Sequence, residues 1–490
     1  MPFVTSTGTR HQSGGDPTLL HALAKGSLAA GSGASAPLRL KTYAIPARFC
    51  YLLADRLGRL FQGRAMIDIK LIRDDPRRFI DAARVKGFDV DIGELLAADA
   101  GLLDARKELQ EIRTQQNAAG KQIARLKGPD KQAAIEKVSQ LKARAKELDD
   151  RTAELEPRFD ELMLLVPQPP APEVPLGEDE TGNAEIRREG EVRQFDFAPK
   201  DHVELGEALD IIDIPRGVKL AGTRNFVLKG AGALLHQALL RLALDRMLAK
   251  GYTFLTVPVL VHESIMYGTG WFPLMRDQSY LAERDGLSLV GTAEVPVTAY
   301  RADEILDEAD LPLKYVGLST CFRREAGAAG KDTRGLYRVH YFDKVEQVIL
   351  CGSDEQASLR HHHEILRNAE EVMQALELPY RVVNVCTGDL GLGQVQKFDI
   401  ETWMPSRGSY GETHSASRFY EFQARRLNIR YRDAEGGIRF CHTLNNTVIA
   451  SPRILIPILE LYQNADGSVT VPAALRPYMG GMEKIGPAPA

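Results

Sequence analysis

One stretch, residues 321–346, constrains the fold more than any other part of the chain. It contains CFRREAGAAGKDTRGLYRVHYFDKVE, a glycine-rich and highly charged centre between two segments of alternating apolar and polar residues. Alternation with a period of two predicts strands over residues 314–322 and 338–342, whereas the centre has no apolar face to bury. The pattern therefore predicts two antiparallel strands joined by a long, mobile, cationic loop. Because guanidinium groups match phosphate oxygens in pairs, this loop suits a polyphosphate.

A surface hairpin with solvated charges would explain the same composition. Two acids argue against that alternative, since Glu325 and Glu346 fall near opposite ends of strands that should be neighbours. A buried carboxylate requires a partner or a ligand. We therefore interpret the hairpin as part of a binding site.

The bulk composition limits the class of protein. With 490 residues the chain can form two or more domains, and its net charge of -4 restricts any nucleic-acid binding to local basic patches. No apolar run reaches membrane-spanning length, so we expect no membrane partner. The five cysteines are scattered and form no CxxC pair, which favours a reducing cytoplasm and predicts neither a disulfide framework nor a zinc site.

A heptad pattern dominates the N-terminal third of the chain. After Asp75 and Pro76, which predict the start of a helix ending near Gly87, apolar or small residues recur in steps of three and four from Leu102. The steps are interrupted by a turn signal at residues 128–130 and then continue to Leu162. Two such helices predict an antiparallel coiled-coil hairpin whose arms each extend roughly 40 Å or more. The pattern occupies Leu102, Ala105, Leu109, Ile112, Gln116, Ala119, Ile123 and Leu126, then Ala134, Val138, Leu141, Ala145, Leu148, Thr152, Leu155, Phe159 and Leu162.

Composition also predicts the domain boundaries. Residues 1–65 are rich in Ser, Thr, Gly and Ala and nearly free of acids, which fits a transit peptide, a disordered tail or a start codon placed too far upstream. We expect this extension to be dispensable. The helical arm then occupies residues 66–166, a stiff proline-rich linker 167–180, and a catalytic domain 181–490.

The 321–346 stretch resembles motif 2 of the class II aminoacyl-tRNA synthetases, in the bacterial form of the seryl-tRNA synthetase family. The resemblance rests on FRREAG, GKDTRGL and RVHYFDKVE, and it extends to MIDIKLIRDDPRRF from residue 66, to a motif 1 segment over 231–260 and to a motif 3 segment over 441–463. It covers about residue 66 to the C-terminus. It implies an α+β fold: an antiparallel catalytic sheet flanked by helices, with an N-terminal coiled-coil arm.

The residues themselves suggest part of the chemistry. Thr292 and Glu294 lie on one face of the chain if it is extended there, where they could clamp an ammonium group. Glu412 and Ser415 offer the hard oxygen ligands that Mg²⁺ prefers.

The resemblance assigns the site residues. It implies catalytic roles for Arg323 and Arg453, and Mg²⁺ held through ATP by Glu412 and Ser415. The serine-binding residues it implies are Thr292, Ala293, Glu294, Arg323, Glu346 and Thr447. The ATP-binding residues it implies are Arg323, Arg324, Glu325, Arg338, Val339, Phe342, Glu412, Thr413, His414, Ser415 and Arg453.

Basic residues cluster at the predicted tip of the arm. From sequence alone, a solvated coiled-coil face and a grip on a phosphate backbone explain this cluster about equally well. The resemblance favours the second interpretation, because it implies that the arm binds the long variable arm of a tRNA. The tip residues are Lys121, Arg125, Lys127 and Lys131.

The resemblance implies a serine–tRNA ligase. L-serine would be activated by ATP to seryl-adenylate and transferred to the 3′ end of tRNA(Ser), with tRNA(Sec) as a second candidate substrate, by a cytoplasmic homodimer whose interface surrounds Pro258. Two alternatives remain open. A serine-activating paralogue that serves a carrier protein would not need the arm, and a catalytically dead scaffold would not need the complete set of charged motif residues.

Overall fold

The computed structural model describes residues 67–327 and 334–486. The predicted N-terminal extension and the centre of the 321–346 loop lie outside these residues. The helices in this part of the chain are α1 (Ile69–Asp74), α2 (Pro76–Lys86), α3 (Ile92–Ile123), α4 (Gly128–Leu165), α5 (His202–Ala208), α6 (Ile214–Ala221), α7 (Gly230–Ala249), α8 (Glu263–Gly268), α9 (Glu294–Thr298), α10 (Glu355–Ala375), α11 (Phe422–Leu427) and α12 (Leu455–Leu461). The strands are β1 (Ala184–Glu189), β2 (Ile212–Asp213), β3 (Val227–Leu228), β4 (Thr253–Leu255), β5 (Leu260–His262), β6 (Leu281–Ala282), β7 (Leu287–Leu289), β8 (Ile305–Asp307), β9 (Leu313–Phe322), β10 (Tyr341–Cys351), β11 (Tyr380–Asn384), β12 (Gln396–Met404), β13 (Ser409–Tyr420), β14 (Arg430–Arg432), β15 (Ile438–Phe440), β16 (His442–Ser451), β17 (Val469–Thr470) and β18 (Lys484–Ile485).

Helices α3 and α4 pair along their length and form the predicted coiled-coil hairpin. Every predicted seam position is buried or partly buried, and Leu102, Leu109 and Leu148 are among the most enclosed. The connection lies earlier in the chain than predicted and covers residues 124–127. The turn signal Gly128-Pro129-Asp130 instead opens α4, where a proline in the first turn needs no hydrogen-bond partner for its nitrogen.

The large sheet has eight strands in the order β1-β11-β12-β13-β16-β10-β9-β4. Neighbours are antiparallel except for β4, which pairs parallel with β9 at one edge. Helices α7 and α10 pack against each other and against the central strands β10 and β16. This architecture confirms the predicted α+β class with an antiparallel catalytic sheet and an N-terminal helical arm.

The motif 2 hairpin forms as predicted from β9 and β10, with one difference. β10 begins at Tyr341, three residues later than predicted. The backbone of residues 338–340 bonds Arg224. The His340 nitrogen donates to the Arg224 carbonyl, and Arg224 Nη1 donates to the Arg338 carbonyl. These bonds turn the chain away from the ladder before the loop begins.

A buried lysine joins the base of the arm to the catalytic part. Lys86, at the end of α2, is buried, and its Nζ donates to the carbonyl oxygens of Gln168, Leu392 and Gln394 at 3.1, 3.0 and 2.9 Å. Burial lowers the pKa of Lys86 well below its ordinary value. The three carbonyls fix the position of the arm base against the loop that precedes β12. Within residues 67–327 and 334–486, no helix is both long and apolar enough to cross a bilayer.

Replacing Leu109 by Ala should lower the stability of the arm by about 2–5 kcal/mol, because it removes buried methyl groups from the seam and leaves a cavity. Leu103 lies on the same helix but is 46% exposed, so it supplies a matched control. The control substitution Leu103→Ala should cost less than about 0.5 kcal/mol. Urea titrations followed by far-UV circular dichroism compare the variants, and equal midpoints would contradict the seam.

Candidate active site

A cleft of about 560 Å³ lies on the side of β10 opposite to α7. The alternation of β10 separates its two faces: Asp343 bonds His236 of α7, whereas Phe342 and Lys344 face the cleft. The side chains and backbone that line the cleft are Arg323, Glu325, Leu336, Tyr337, Val339, Phe342, Lys344, Glu412, Thr413, Ser415, Thr447, Ala450, Pro452 and Arg453. Residues distant in sequence but predicted to act together therefore share one surface.

Arg323 is held firmly at the end of β9. Its backbone nitrogen donates to the His340 carbonyl at 2.9 Å, and its Nε donates to the Gly291 carbonyl at 3.3 Å. Its guanidinium lies 5.2 Å from the ring centre of Phe342 and 5.7 Å from that of Trp271. The two aromatic rings and two backbone bonds leave the guanidinium a fixed cation at the mouth of the cleft.

Glu325 has a strained backbone, with φ of +51°. A non-glycine residue in this region costs of order 1–3 kcal/mol, and such residues cluster at functional sites. Its Oε2 accepts a hydrogen bond from Arg338 Nη1 at 3.2 Å. The turn brings the carboxylate back to the cleft just after the strand has ended.

Glu346 lies behind the cleft in a buried polar cluster, which we call the chamber. Its Oε2 lies 2.6 Å from Lys344 Nζ and accepts from the Thr447 hydroxyl at 3.3 Å. Lys344 Nζ also donates to that hydroxyl at 3.4 Å. All three residues are buried, and Lys344 and Thr447 line the cleft in front of Glu346.

Glu294 lies near Glu346, at the first position of α9. Burial, and then the charge of Glu346, raise the pKa of Glu294 to about 7. Gln423 opposes this shift by donating from Nε2 to Glu294 Oε1 at 2.8 Å. The expected extended clamp is not formed: the chain turns, and the Thr292 hydroxyl accepts a bond from the Glu294 nitrogen at 3.1 Å. Thr292 and Ala293 are both fully enclosed.

Glu412 and Ser415 reach the same cleft because of a strand irregularity. A spacing of three would put them on opposite faces of a regular strand. In β13 the pairing shifts, with His414 opposite Ile400 but Glu412 opposite Glu401, so Thr413 is an extra residue. This bulge turns both oxygen-bearing side chains toward the cleft.

The charges around Glu412 suit a hard divalent cation. Burial acts to raise the pKa of Glu412, but Arg453, Lys397 and other nearby cations outweigh burial and lower it below its ordinary value. An ionised carboxylate and a hydroxyl are the donors that Mg²⁺ accepts. Arg453 stands beside them, donating to the Glu412 carbonyl at 3.0 Å and the Tyr337 carbonyl at 3.1 Å.

Three predicted ATP-binding residues, Arg324, Arg338 and His414, do not line the cleft. The Arg324 backbone donates to the Gln278 carbonyl, and its guanidinium reaches the Asp277 carbonyl at 3.5 Å, away from the cleft. His414 is buried, and its Nδ1 lies 2.8 Å from the Thr413 hydroxyl. Burial lowers the pKa of His414 to about 4. Val339 and Phe342 line the cleft, whereas Arg338 approaches it through Glu325.

Comparisons with known proteins agree with this geometry. Residues 66–170 match the family model of the seryl-tRNA synthetase N-terminal domain, and residues 280–462 match that of the tRNA synthetase class II core domain (G, H, P, S and T). A serine–tRNA ligase of Deinococcus radiodurans is 46% identical over 421 residues, which cover 86% of this chain and 99% of that protein. This chain belongs to the seryl-tRNA synthetase family.

Solved structures of the family have the same fold. The seryl-tRNA synthetase of Pyrococcus horikoshii, crystallised with ATP, superposes with a TM-score of 0.81 at 38% identity, covering 86% of this chain and all of that one. The cytoplasmic serine–tRNA ligase of Naegleria fowleri, in complex with AMP, gives 0.77 at 28% identity and covers 87% of this chain and all of that one. The identity of the family and the class II fold are thereby shown.

Several residues that support the site were not predicted from the sequence. Lys344 could have been found, because it stands two residues before Glu346 and so shares its strand face. Gln423 and His202 had no such signal. Gln423 reaches Glu294 from α11, and His202 acts from a helix more than a hundred residues before the loop it contacts.

His202 holds the returning end of the motif 2 loop. Its Nδ1 lies 2.7 Å from Glu460 Oε1, on α12, and its Nε2 accepts from the Leu336 nitrogen at 3.2 Å. The next residue, Tyr337, offers the carbonyl that Arg453 binds. Gly335 leaves room for this arrangement, since a Cβ there would lie 2.2 Å from His202 Nε2.

The substitution Gly335→Ala should therefore displace His202 and loosen Arg453. Gly327, at the other end of the loop, has a similar positive φ, but a Cβ there would meet nothing within 4 Å. Backbone strain should lower the free energy of unfolding of both variants by roughly 1–2 kcal/mol. Gly335→Ala should lower it by at least about 2 kcal/mol more. Thermal unfolding and ATP titration test this. If the two variants unfold together and bind ATP alike, His202 does not hold the loop.

Proposed function

We propose that the chain is a serine–tRNA ligase, which activates L-serine with ATP and transfers the seryl group to tRNA. The observation that supports this most is the convergence of two sites. Arg323, Glu325, Phe342 and Arg453 line one cleft, and Glu346 lies behind two further lining residues, Lys344 and Thr447. A nucleotide and a small hydroxylated amino acid would thus meet with their reacting atoms adjacent.

ATP would occupy the cleft. The adenine ring would stack on Phe342, with its amino group donating to Glu325 and the Val339 backbone beside it. Arg323 would bind the α-phosphate and the serine carboxylate, and Arg453 would bind the γ-phosphate. Of the remaining predicted ATP-binding residues, Arg338 would assist ATP binding through its hydrogen bond to Glu325. Thr413 and His414 would support the structure of β13. Arg324 would act only from outside the cleft.

Serine would occupy the chamber. Its ammonium group would bind Glu294 together with the Thr292-Ala293 segment, and its hydroxyl would donate to Glu346 beside Thr447. The hydroxyl contact explains selectivity, because a smaller side chain would leave a buried carboxylate oxygen without a donor. Discrimination against alanine on this basis is on the order of 10⁴-fold.

The first step needs alignment more than proton transfer. A serine carboxylate oxygen attacks the α-phosphorus, and the bond to the β-phosphate oxygen breaks to release pyrophosphate. The carboxylate is already ionised at neutral pH, so no general base is required. Arg323 and Arg453 hold the phosphates and neutralise the charge that develops on them.

Glu412 and Ser415 would hold Mg²⁺ together with ATP. Their oxygens line the cleft beside Arg453, which is where the phosphate chain would lie. The metal ion would supply further neutralisation of the phosphate charge. We expect no zinc.

The second step uses the arm. The terminal ribose hydroxyl of tRNA attacks the seryl carbonyl carbon, and AMP leaves. The arm, residues 66–166, would grip tRNA(Ser) by its shape, and tRNA(Sec) is a second candidate. Supporting this, the tip side chains are exposed and cationic. They are Lys121, Arg125, Lys127 and Lys131.

We also infer a homodimer that acts in the cytoplasm. The strands β4 and β5, on either side of Pro258, expose Phe254 at 39% and Leu260 at 43%. Exposed apolar residues along a sheet edge are suited to a second copy of the chain. Residues 167–180 would link the arm to the catalytic domain over 181–490.

The decisive experiment combines two assays. Serine-dependent exchange of pyrophosphate into ATP tests activation, and charging of tRNA with radiolabelled serine tests transfer, for the full chain and for a chain starting at Met66. Arg323→Ala should lower exchange by at least about 10³-fold, because the α-phosphate loses its fixed cation. Exchange without tRNA charging would favour a carrier-protein paralogue, and no exchange by the wild-type chain would favour a dead scaffold.

The pH dependence of serine use should follow Glu294. Its pKa of about 7 means that the carboxyl is increasingly protonated below pH 7, and only the ionised form attracts the serine ammonium group. The value of kcat/KM for serine should fall toward tenfold per pH unit below about pH 6, while KM for ATP changes little. Exchange kinetics between pH 5.5 and 8.5 measure both. A serine profile that stays flat over this range would exclude Glu294 as the ammonium partner.

A further inference from the structure

The serine chamber contains a cation that the proposed reaction does not use. Lys344 is 6% exposed and Glu346 is 1% exposed, and their Nζ and Oε2 atoms are 2.6 Å apart. The Thr447 hydroxyl closes a triangle with both atoms. Both contacts of the Glu346 carboxylate, to Lys344 and to Thr447, use Oε2, so Oε1 is the oxygen to which a ligand would bind.

The charges in the chamber define what that ligand can be. Two acids, Glu294 and Glu346, are close enough that each charge acts on the other, and Lys344 acts against both. An amino acid brings one ammonium group at its α-carbon, which would pair with Glu294. Because Lys344 pairs with Glu346, each of the two carboxylates then has a positively charged partner. A second positive charge on the side chain would have no partner and would face Lys344 at close range.

We infer that Lys344 determines which side chain the chamber accepts: it neutralises Glu346, so that a neutral hydroxyl is bound and a side-chain ammonium is rejected. This role rests on the proposed function. It is a specificity role through repulsion, because an amine could otherwise form a stronger bond to Glu346 than a hydroxyl can. Lys344 also orients Glu346 by holding Oε2, which leaves Oε1 to accept from the serine hydroxyl.

A purely structural role for the pair is the competing explanation. Buried ion pairs often contribute little net stability, because removing two charges from water costs about as much as their attraction returns. Here Lys344 and Thr447 line the cleft, and both contacts of Glu346 use the same oxygen, which a pair serving only packing would not need. The two explanations differ in substrate preference, which can be measured.

The test uses Lys344→Met and three amino acids: serine, alanine and 2,3-diaminopropionate, which has an amine in place of the serine hydroxyl. Wild-type chain should strongly prefer serine in pyrophosphate exchange. In the variant, kcat/KM for serine should fall at least about tenfold and the preference for serine over diaminopropionate should shift by about 100-fold or more, since Glu346 then lacks a cation. An equal loss for both substrates would overturn the inference.

Lys314→Met is the matched control. Lys314 lies on the neighbouring strand β9, and it forms an ion pair with Glu364 at 2.6 Å, outside the cleft. It should leave the preference unchanged. The double variant Lys344→Met with Glu346→Gln should match Glu346→Gln alone, and this comparison decides the matter if Lys344→Met does not fold. A further loss of serine activity in the double variant would contradict an action through Glu346. Absence of wild-type exchange would instead refute the proposed function itself.

Discussion

The hydrogen-bonded ladder that holds β10 between β9 and β16 is the constraint on which the site depends. Alternation along β10 sends Asp343 and Gln347 to the helices behind the sheet, where they bond His236 and the Ile365 carbonyl. The same alternation sends Phe342, Lys344 and Glu346 to the opposite side. A slip of one residue would exchange these two sets and place acids in the apolar layer under the helices. Register therefore decides both stability and chemistry in this strand.

Charge is compensated locally around the site, and each compensating group restricts what can bind. Glu346 pairs with Lys344, Glu412 lies near Arg453 and Lys397, and Glu294 accepts a hydrogen bond from Gln423 and is also stabilised by the charge of Lys344. Burial, and then the charge of Glu346, outweigh these groups and raise the pKa of Glu294 to about 7. If every buried charge were already paired within the protein, a charged ligand would find no partner there. If no charge were paired, burying the charges would cost too much free energy.

The arm and the polar cluster at Glu294 and Glu346 share a structural neighbour. Helix α11 carries Gln423, which holds Glu294, and Arg426, which is buried and donates to the Leu164 carbonyl at the end of α4 and to the Tyr267 carbonyl. Burial lowers the pKa of Arg426 to about 9. Together with Lys86, this helix gives the base of the arm a fixed position.

Local pattern was sufficient for much of this protein. The heptads predicted α3 and α4, the alternation around residues 314–346 predicted β9 and β10, and the motif residues predicted which acids and arginines would meet. These features have short periods, so a few neighbouring residues define them. The bulge at Thr413 and the roles of His202 and Gln423 were decided by tertiary structure. Each depends on a partner brought close only when distant segments pack, and no spacing along the chain encodes that distance.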